Sequence, residues 1–341
     1  MDRSRDTVLL TGIGGFIARH VALALLHAGY IVRGTVRSRG AADRVRAVLA
    51  AAGGDITRLD FAVADLTQDD GWDAAARGCR YVVHTASPFP SRPPRDKFAL
   101  VPVAREGTLR VIEAAKRHGA ERVVLTSSTA AIAYGHPPRI PALFDASDVS
   151  DVNGPAISSY AVSKTLAEQA AWAAVEGSQV SLCSLNPSFV LGPPIGAETG
   201  TSVRLVLAMM KGQMPVVPAL SLGVVDVRDV AAAHVAALAA DRAAGRRLIL
   251  WAGARSLMDI GAAIGEAHPS YRRRMPRLAL PDAAVRLAAR VSSGAANIVP
   301  ELGVQKQFDV SPAETILGLR FRSPEEAITA TAESLIRQRL I

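Results

Sequence analysis

The sequence predicts an α/β chain: a doubly wound parallel sheet followed by a smaller, mostly helical lobe. Three observations carry this expectation. Short β-rich runs alternate with amphipathic stretches through the first half, the pattern of parallel strands joined by crossover helices. Glycines fill the turn after the first run, at Gly12, Gly14 and Gly15. Beyond Asn186 the alternation loosens, punctuated by Pro187, Pro193, Pro194, Pro215 and Pro218.

In chain order the expected strands are Thr7 to Thr11, Ile31 to Val36, Arg58 to Ala64, Tyr81 to Thr85, Val123 to Ser127 and Val180 to Asn186. Helical patterns fall between them at Phe16 to Ala28, Asp43 to Ala52, Ala99 to His118 and Ser158 to Val175, several closed by a glycine, as at Gly29, Gly53 and Gly119. The expected division is the doubly wound unit over residues 1–186 and the smaller lobe over 187–341, with segments such as Leu248 to Trp251 returning to the sheet.

Composition removes several classes of function. A chain of 341 residues, 49% hydrophobic and 21% charged, buries enough apolar surface to fold, which excludes global disorder and a disulfide-held miniature. Cys79 and Cys183 cannot build a disulfide framework, and no secretory h-region follows Met1, so the expected setting is reducing and cytoplasmic. The apolar stretch Val224 to Ala240 carries Asp226, Arg228, Asp229 and His234, short of the roughly 18 uncharged residues of a spanning helix, and no membrane association is expected. A formal charge of +8 raises the question of nucleic acid. The thirty-four arginines and five lysines are scattered, however, with Arg272-Arg273-Arg274 the densest cluster, so no nucleic-acid partner is expected. The seven histidines are isolated and no paired-cysteine spacing occurs, so no metal site is expected, and His84 and His234 read as satisfied core or helix residues.

The first strand runs into Thr11-Gly12-Ile13-Gly14-Gly15-Phe16-Ile17-Ala18, where backbone amides and a helix N-terminus can cradle a pyrophosphate. Read as G-x-G-x-x-G the motif lacks its third glycine, Ile17 standing there; read as G-x-x-G-x-x-A it is Gly12, Gly15 and Ala18. The second strand then decides between dinucleotides. Arg33 to Gly40 contains no acidic residue to accept from a ribose 2′-hydroxyl, whereas Arg37 stands where a guanidinium can meet a 2′-phosphate, with Arg39 and Arg44 nearby.

The most specific signal is Tyr160-Ala161-Val162-Ser163-Lys164 at the opening of a helical stretch. Tyrosine and lysine four residues apart share a helix face, and an ammonium beside a phenol favours the phenolate, lowering a pKa of about 10 towards neutrality. Thr126-Ser127-Ser128-Thr129 places hydroxyls at a strand's carboxyl end, where open α/β sheets bind ligands, and one of them can hydrogen-bond a reacting carbonyl. Ser163-Lys164-Thr165 imitates a P-loop ending without its glycine, and no G-x-S-x-G elbow is present.

Taken together with Asp65-Leu66, His84-Thr85-Ala86-Ser87-Pro88-Phe89, Gly107-Thr108-Leu109, Arg122 to Ser128 and Asn186-Pro187-Ser188-Phe189-Val190-Leu191-Gly192-Pro193, these motifs resemble the extended short-chain dehydrogenase/reductases. The resemblance runs over almost the whole chain and is nearest the branch of dihydroflavonol reductases, cinnamoyl-CoA reductases and yeast-type aldehyde/ketone reductases. It implies a Rossmann sheet, NADP(H) as cofactor and a carbonyl reductase in which Ser128, Tyr160 and Lys164 are catalytic. By the same resemblance, Gly12, Gly15, Phe16 and Ile17 hold the pyrophosphate, Arg37 and Arg44 the 2′-phosphate, and Asp65 and Leu66 the adenine. Thr85, Ala86 and Ser87 wall the ribose, and Thr126, Pro187 and Val190 complete the cofactor site with Tyr160 and Lys164. Pro88, Phe89, Ser128, Thr129, Val190 and Leu191 are the implied substrate pocket. Ala133 stands where plant flavonoid reductases carry a polar residue, and the segment Asp145 to Asp151 lacks their tryptophan, which points away from a flavonoid. The expected substrate is a small, moderately hydrophobic aldehyde or ketone, turned over by a monomer or homodimer. Two other readings stay open: a nucleotide-sugar epimerase or dehydratase with bound NAD, and a dinucleotide-sensing regulator without turnover.

Overall fold

The computed structural model describes residues 5–88, 94, 96–137, 140–155, 157–290 and 298–341. The apolar runs of the first half become strands β1 (Thr7–Thr11), β2 (Ile31–Val36), β3 (Leu59–Val63), β4 (Tyr81–His84) and β5 (Arg122–Thr126). The two-residue strand β6 (Leu143–Phe144) follows, then β7 (Ser181–Pro187), β8 (Phe189–Leu191), β9 (Val216–Pro218), β10 (Ser221–Asp226) and β11 (Arg246–Leu250). Seven strands form one parallel sheet in the order β3-β2-β1-β4-β5-β7-β11. Helices on both faces explain the near-continuous apolar character of its central strands: Val8, Leu9, Leu10, Val82, Val83, Val123 and Val124 are fully buried.

Those helices are α1 (Phe16–His27), α2 (Arg39–Ala51), α3 (Trp72–Ala76), α4 (Val101–Arg117) and α5 (Ser159–Val175). The boundaries expected from sequence agree within one to two residues except at α2, which starts at Arg39, four residues before Asp43. The end of α1 shows why glycine closes these helices. Gly29 takes φ +85°, its N–H donates to Leu26 O and the next N–H, of Tyr30, to Leu25 O, so the last carbonyls are satisfied by a left-handed turn.

After β7 the chain leaves the sheet for β8 and α6 (Thr201–Met210), then returns through α7 (Val227–Ala239), which packs on α1, and β11, which adds the sheet's last strand. The departing segments build their own core of Leu191, Val203, Val206, Met209, Ile260 and Ile264, closed by the helix Pro324–Arg337. Asp229 of α7 accepts from the Arg322 backbone N–H at 2.7 Å and pairs with its side chain, tying the C-terminal segment to the sheet layer. Among the described residues no helix is long and apolar enough to cross a membrane.

Candidate active site

Strand order reverses between β1 and β4, and a crevice opens there at the strands' carboxyl ends. Gly12 leaves β1 with φ +66°, and a Cβ on it would lie 3.0 Å from Ala86 Cβ, so only glycine permits this close approach. Its N–H donates to Thr35 Oγ1 at 2.9 Å, and Gly15 N–H donates back to Gly12 O at 2.9 Å. Gly15 caps α1 without a side-chain hydrogen bond, and no acidic residue stands in the first turn. The first amides of a twelve-residue helix, with the positive end of its dipole, are therefore available to an anion.

A buried network holds this turn. Thr11 Oγ1 accepts the N–H groups of Thr85 and Ala86, both at 3.1 Å, so its own proton goes to His84 Nδ1 at 2.7 Å. The imidazole then carries its proton on Nε2, 3.2 Å from Thr108 Oγ1, whose hydroxyl donates to Ala104 O. Burial, with the charge of Lys164 adding to it, pushes the pKa of His84 down to about 3. His234 is likewise buried: Nδ1 donates to Val230 O and Nε2 accepts from Thr126 Oγ1, both at 2.7 Å. Both histidines are the satisfied core residues expected.

At the end of β5, Ser128 caps the short turn Thr129–Ala131, accepting Ala130 N–H at 3.1 Å, and its hydroxyl is hydrogen-bonded to the Tyr160 phenol. Tyr160 sits in the first turn of α5, whose N-cap Ser158 accepts from Ala161 N–H. One turn on, Lys164 is buried and Nζ donates to Thr126 O at 3.0 Å. One turn further, the Glu168 carboxylate accepts from Ser127 Oγ (2.5 Å), Ser184 Oγ (2.7 Å), Asn186 Nδ2 (2.9 Å) and Arg247 Nε (2.7 Å). Asn186 also donates to Ser128 O at 3.1 Å. One buried carboxylate thus straps Ser127, just past β5, to β7 and to Arg247 near the start of β11.

The electrostatics differ from the sequence expectation in one respect. Burial raises the Tyr160 phenol above its usual 10, opposed by the Ser128 hydrogen bond, while burial pushes the Lys164 ammonium down to about 8, opposed by Glu168. Lys164 shares a helix face with Tyr160, as expected, but its long stem carries Nζ to the end of β5. The phenol consequently keeps its proton at neutral pH.

Gly12, Gly15, Phe16, Ile17, Thr85, Ser87, Thr126, Ser128, Thr129, Tyr160, Lys164, Pro187 and Val190 all line one cavity of about 700 Å³. Ala86 backs Gly12 at its edge. Pro88 stands outside the lining, and Leu191 is corrected from the expected pocket to the lobe's core, where it is fully buried. Phe89 lies outside the described residues. Arg37 and Arg44 are exposed beyond β2, and Asp65 and Leu66 follow β3; the Asp65 carboxyl, held down chiefly by hydrogen bonds from Thr67, also feels the charge of Arg37. Leu66 packs on Gly107, where a Cβ would approach within 2.8 Å.

Residues 8–250 match the family described as the NAD dependent epimerase/dehydratase family. The chain belongs to this family, that of the extended short-chain dehydrogenase/reductases. Cinnamoyl-CoA reductase CAD2 of Medicago truncatula is 34% identical over 334 residues, covering 97% of this chain and 95% of that protein. Tetraketide alpha-pyrone reductase 1 of Arabidopsis thaliana is 32% identical, covering 99% and 98%. Among solved structures, yeast methylglyoxal/isovaleraldehyde reductase Gre2 complexed with NADPH superposes with a TM-score of 0.80 at 27% identity, covering 98% of this chain and all of that one.

In this epimerase/dehydratase-family chain the cavity also contains residues that the motifs did not announce. Tyr134 lines it together with Glu301, Lys306 and Phe308 of the lobe, as do Glu198 and Arg204, both exposed. Their signal is spatial: residues more than 160 positions apart in sequence meet across the cleft, and no local spacing marks them.

Proposed function

We propose that the protein is an NADPH-dependent carbonyl reductase, acting reversibly on a small, moderately hydrophobic aldehyde or ketone. The observation that carries this is the hydrogen-bonded pair of Ser128 and Tyr160, the phenol kept protonated by burial, facing the same cavity as the glycine turn. The residues present fit a dinucleotide: the uncapped start of α1 and the Gly12 approach suit a pyrophosphate, and Arg37 and Arg44 suit a 2′-phosphate, residues 33–40 carrying no carboxylate of their own. Asp65 and Leu66 border the adenine, Thr85, Ala86 and Ser87 the ribose, and Thr126, Pro187 and Val190 the nicotinamide pocket. The NADPH in the complex of the yeast reductase, and the reductase names of the plant relatives, support the same cofactor and direction.

The cofactor, when bound, supplies the hydride. Tyr160 gives its phenolic proton to the carbonyl oxygen, and Ser128, fixed by Ala130 N–H, orients that oxygen. Lys164, its ammonium held at Thr126 O at the end of β5, would hold the ribose. Thr129 and Val190 contact the substrate, with Pro88 at the approach. Residues 1–186 then act as the dinucleotide unit and 187–341 as the substrate lobe.

The deciding experiment follows NADPH oxidation against aldehydes, ketones, keto esters, acyl-CoA thioesters and nucleotide sugars. Turnover of aromatic or branched aliphatic carbonyls is expected. Conversion of a nucleotide sugar without net NADPH consumption, and no carbonyl turnover, overturns the reading.

A further inference from the structure

The cavity has a second polar end, opposite in origin to the first. It is built by the segment between the short turn Val299–Glu301 and β14 (Gln307–Phe308), which follows β12 (Gly253–Ser256) and β13 (Leu278–Leu280) along the chain. Both ends of this segment are fastened: Leu302 bridges to Leu220, and β14 pairs with β6, with Gln307 N–H donating to Ala142 O and Asp309 N–H to Phe144 O, both at 2.9 Å. So fixed, Lys306 Nζ lies 2.5 Å from Glu301 Oε2 and 3.6 Å from the centroid of the Tyr134 ring. Tyr134 lines the same cavity and feels both groups: Lys306 lies over its ring, and its phenol is raised by burial and by the charges of Glu301 and Tyr160.

Shielding sets this pair apart. Glu198 and Arg204 of the same cavity are exposed, whereas the side chains of Lys306 and Glu301 are 15% and 19% exposed. Withdrawing an ion pair from water costs desolvation that its mutual attraction seldom exceeds, so an apolar wall would serve a purely apolar substrate better. A lysine has three N–H donors and a carboxylate several acceptor positions, so the pair presents both at one point with no net charge. A hydroxyl satisfies both at once, accepting from Lys306 and donating to Glu301. A carboxylate would meet the charge of Glu301 and is disfavoured.

Resting on the carbonyl-reductase reading, we propose that Lys306 and Glu301 form a specificity-determining subsite that selects neutral carbonyl compounds bearing a second, hydroxyl group remote from the reacting carbonyl. Tyr134 carries the apolar span between the subsite and Tyr160.

The test compares the methyl ketones from butanone to octanone with their terminally hydroxylated counterparts, binding each by calorimetry to the protein holding NADP⁺. At the chain length that bridges the two ends, the hydroxylated member is expected to bind about tenfold tighter, the worth of a hydrogen bond to a charged group. The Glu301→Leu/Lys306→Met double variant leaves neither an unpaired buried charge nor a hydrogen-bonding side chain at either position and should lose the discrimination while still binding NADP⁺. Equal binding of both members by the unmodified protein at every length, or discrimination retained in the double variant, overturns the subsite. Turnover separates the two claims. Hydroxyl-selective binding without NADPH consumption by any ketone removes the reductase reading and leaves the subsite; NADPH consumption with no hydroxyl selectivity does the reverse.

Discussion

At the scale of the residue, the account turns on a proton. Tyr160 is half-buried in the cavity wall and its phenol is raised by desolvation, so at neutral pH it holds the proton that the proposed carbonyl reduction needs, with the Ser128 hydroxyl hydrogen-bonded to it. Tyr160→Phe keeps the ring and removes that proton. Turnover should fall on the order of 10² or more with NADPH affinity little changed, whereas Lys164→Ala should damage both, because Nζ is tied to Thr126 O at the cofactor end of β5. Steady-state kinetics with parallel cofactor titration distinguish the two; near-normal turnover in the phenylalanine variant would remove Tyr160 as the acid. Tyr160 and Lys164 were legible because their chemistry is local, one helical turn apart on one face. Glu168 was not. Its meaning is its four partners on three other segments, and a glutamate in an amphipathic stretch carries no sign of them.

At the scale of the element, function follows from where strands stop. The turn after β2 is exposed and carries Arg37, beside the Asp65 carboxyl that follows β3, while the first acidic residue after β2, Asp43, lies within α2 and is exposed. NADPH should therefore bind at least about tenfold tighter than NADH, about 1.4 kcal/mol, and Arg37→Ala should erase most of that difference by calorimetric titration. Equal affinities in the unmodified protein contradict the argument from β2. The same scale shows the limits of pattern reading. The sheet strands and their helices were legible because hydrophobic period and closing glycines are repeated over many residues. The start of α2 is unmarked in the sequence because Gly40, Ala41 and Ala42 give no amphipathic contrast, and β6 and β14 are two-residue strands, too short for any alternation. The lobe's wall of Tyr134, Glu301 and Lys306 depends on that short pairing, so it was invisible for the same reason.

At the scale of the whole molecule, three buried histidines couple the fold to pH. Burial pushes His20 and His234 down to about 4 and His84 to about 3, from 6.5. All three stay neutral in the fold while the unfolded chain takes up protons below pH 6.5, so their contribution is complete above that pH and is lost as pH falls towards 4. The slope approaches three protons, about 4 kcal/mol per pH unit at its steepest, and urea midpoints should drop sharply between pH 6.5 and pH 5. A flat profile over that window would mean that these histidines titrate in place. The fold, the crevice and the two polar ends of the cavity converge on one claim, that hydride and proton are delivered to a carbonyl between β5, α5 and the lobe. The most direct measurement uses NADPH deuterated at the transferable position with a branched aliphatic aldehyde, and reads the product alcohol by mass spectrometry. The account predicts one deuterium on the carbinol carbon, with label transfer reduced in Tyr160→Phe in proportion to turnover. An alcohol product without label, or label retained in the dinucleotide while a nucleotide sugar is converted, would contradict it.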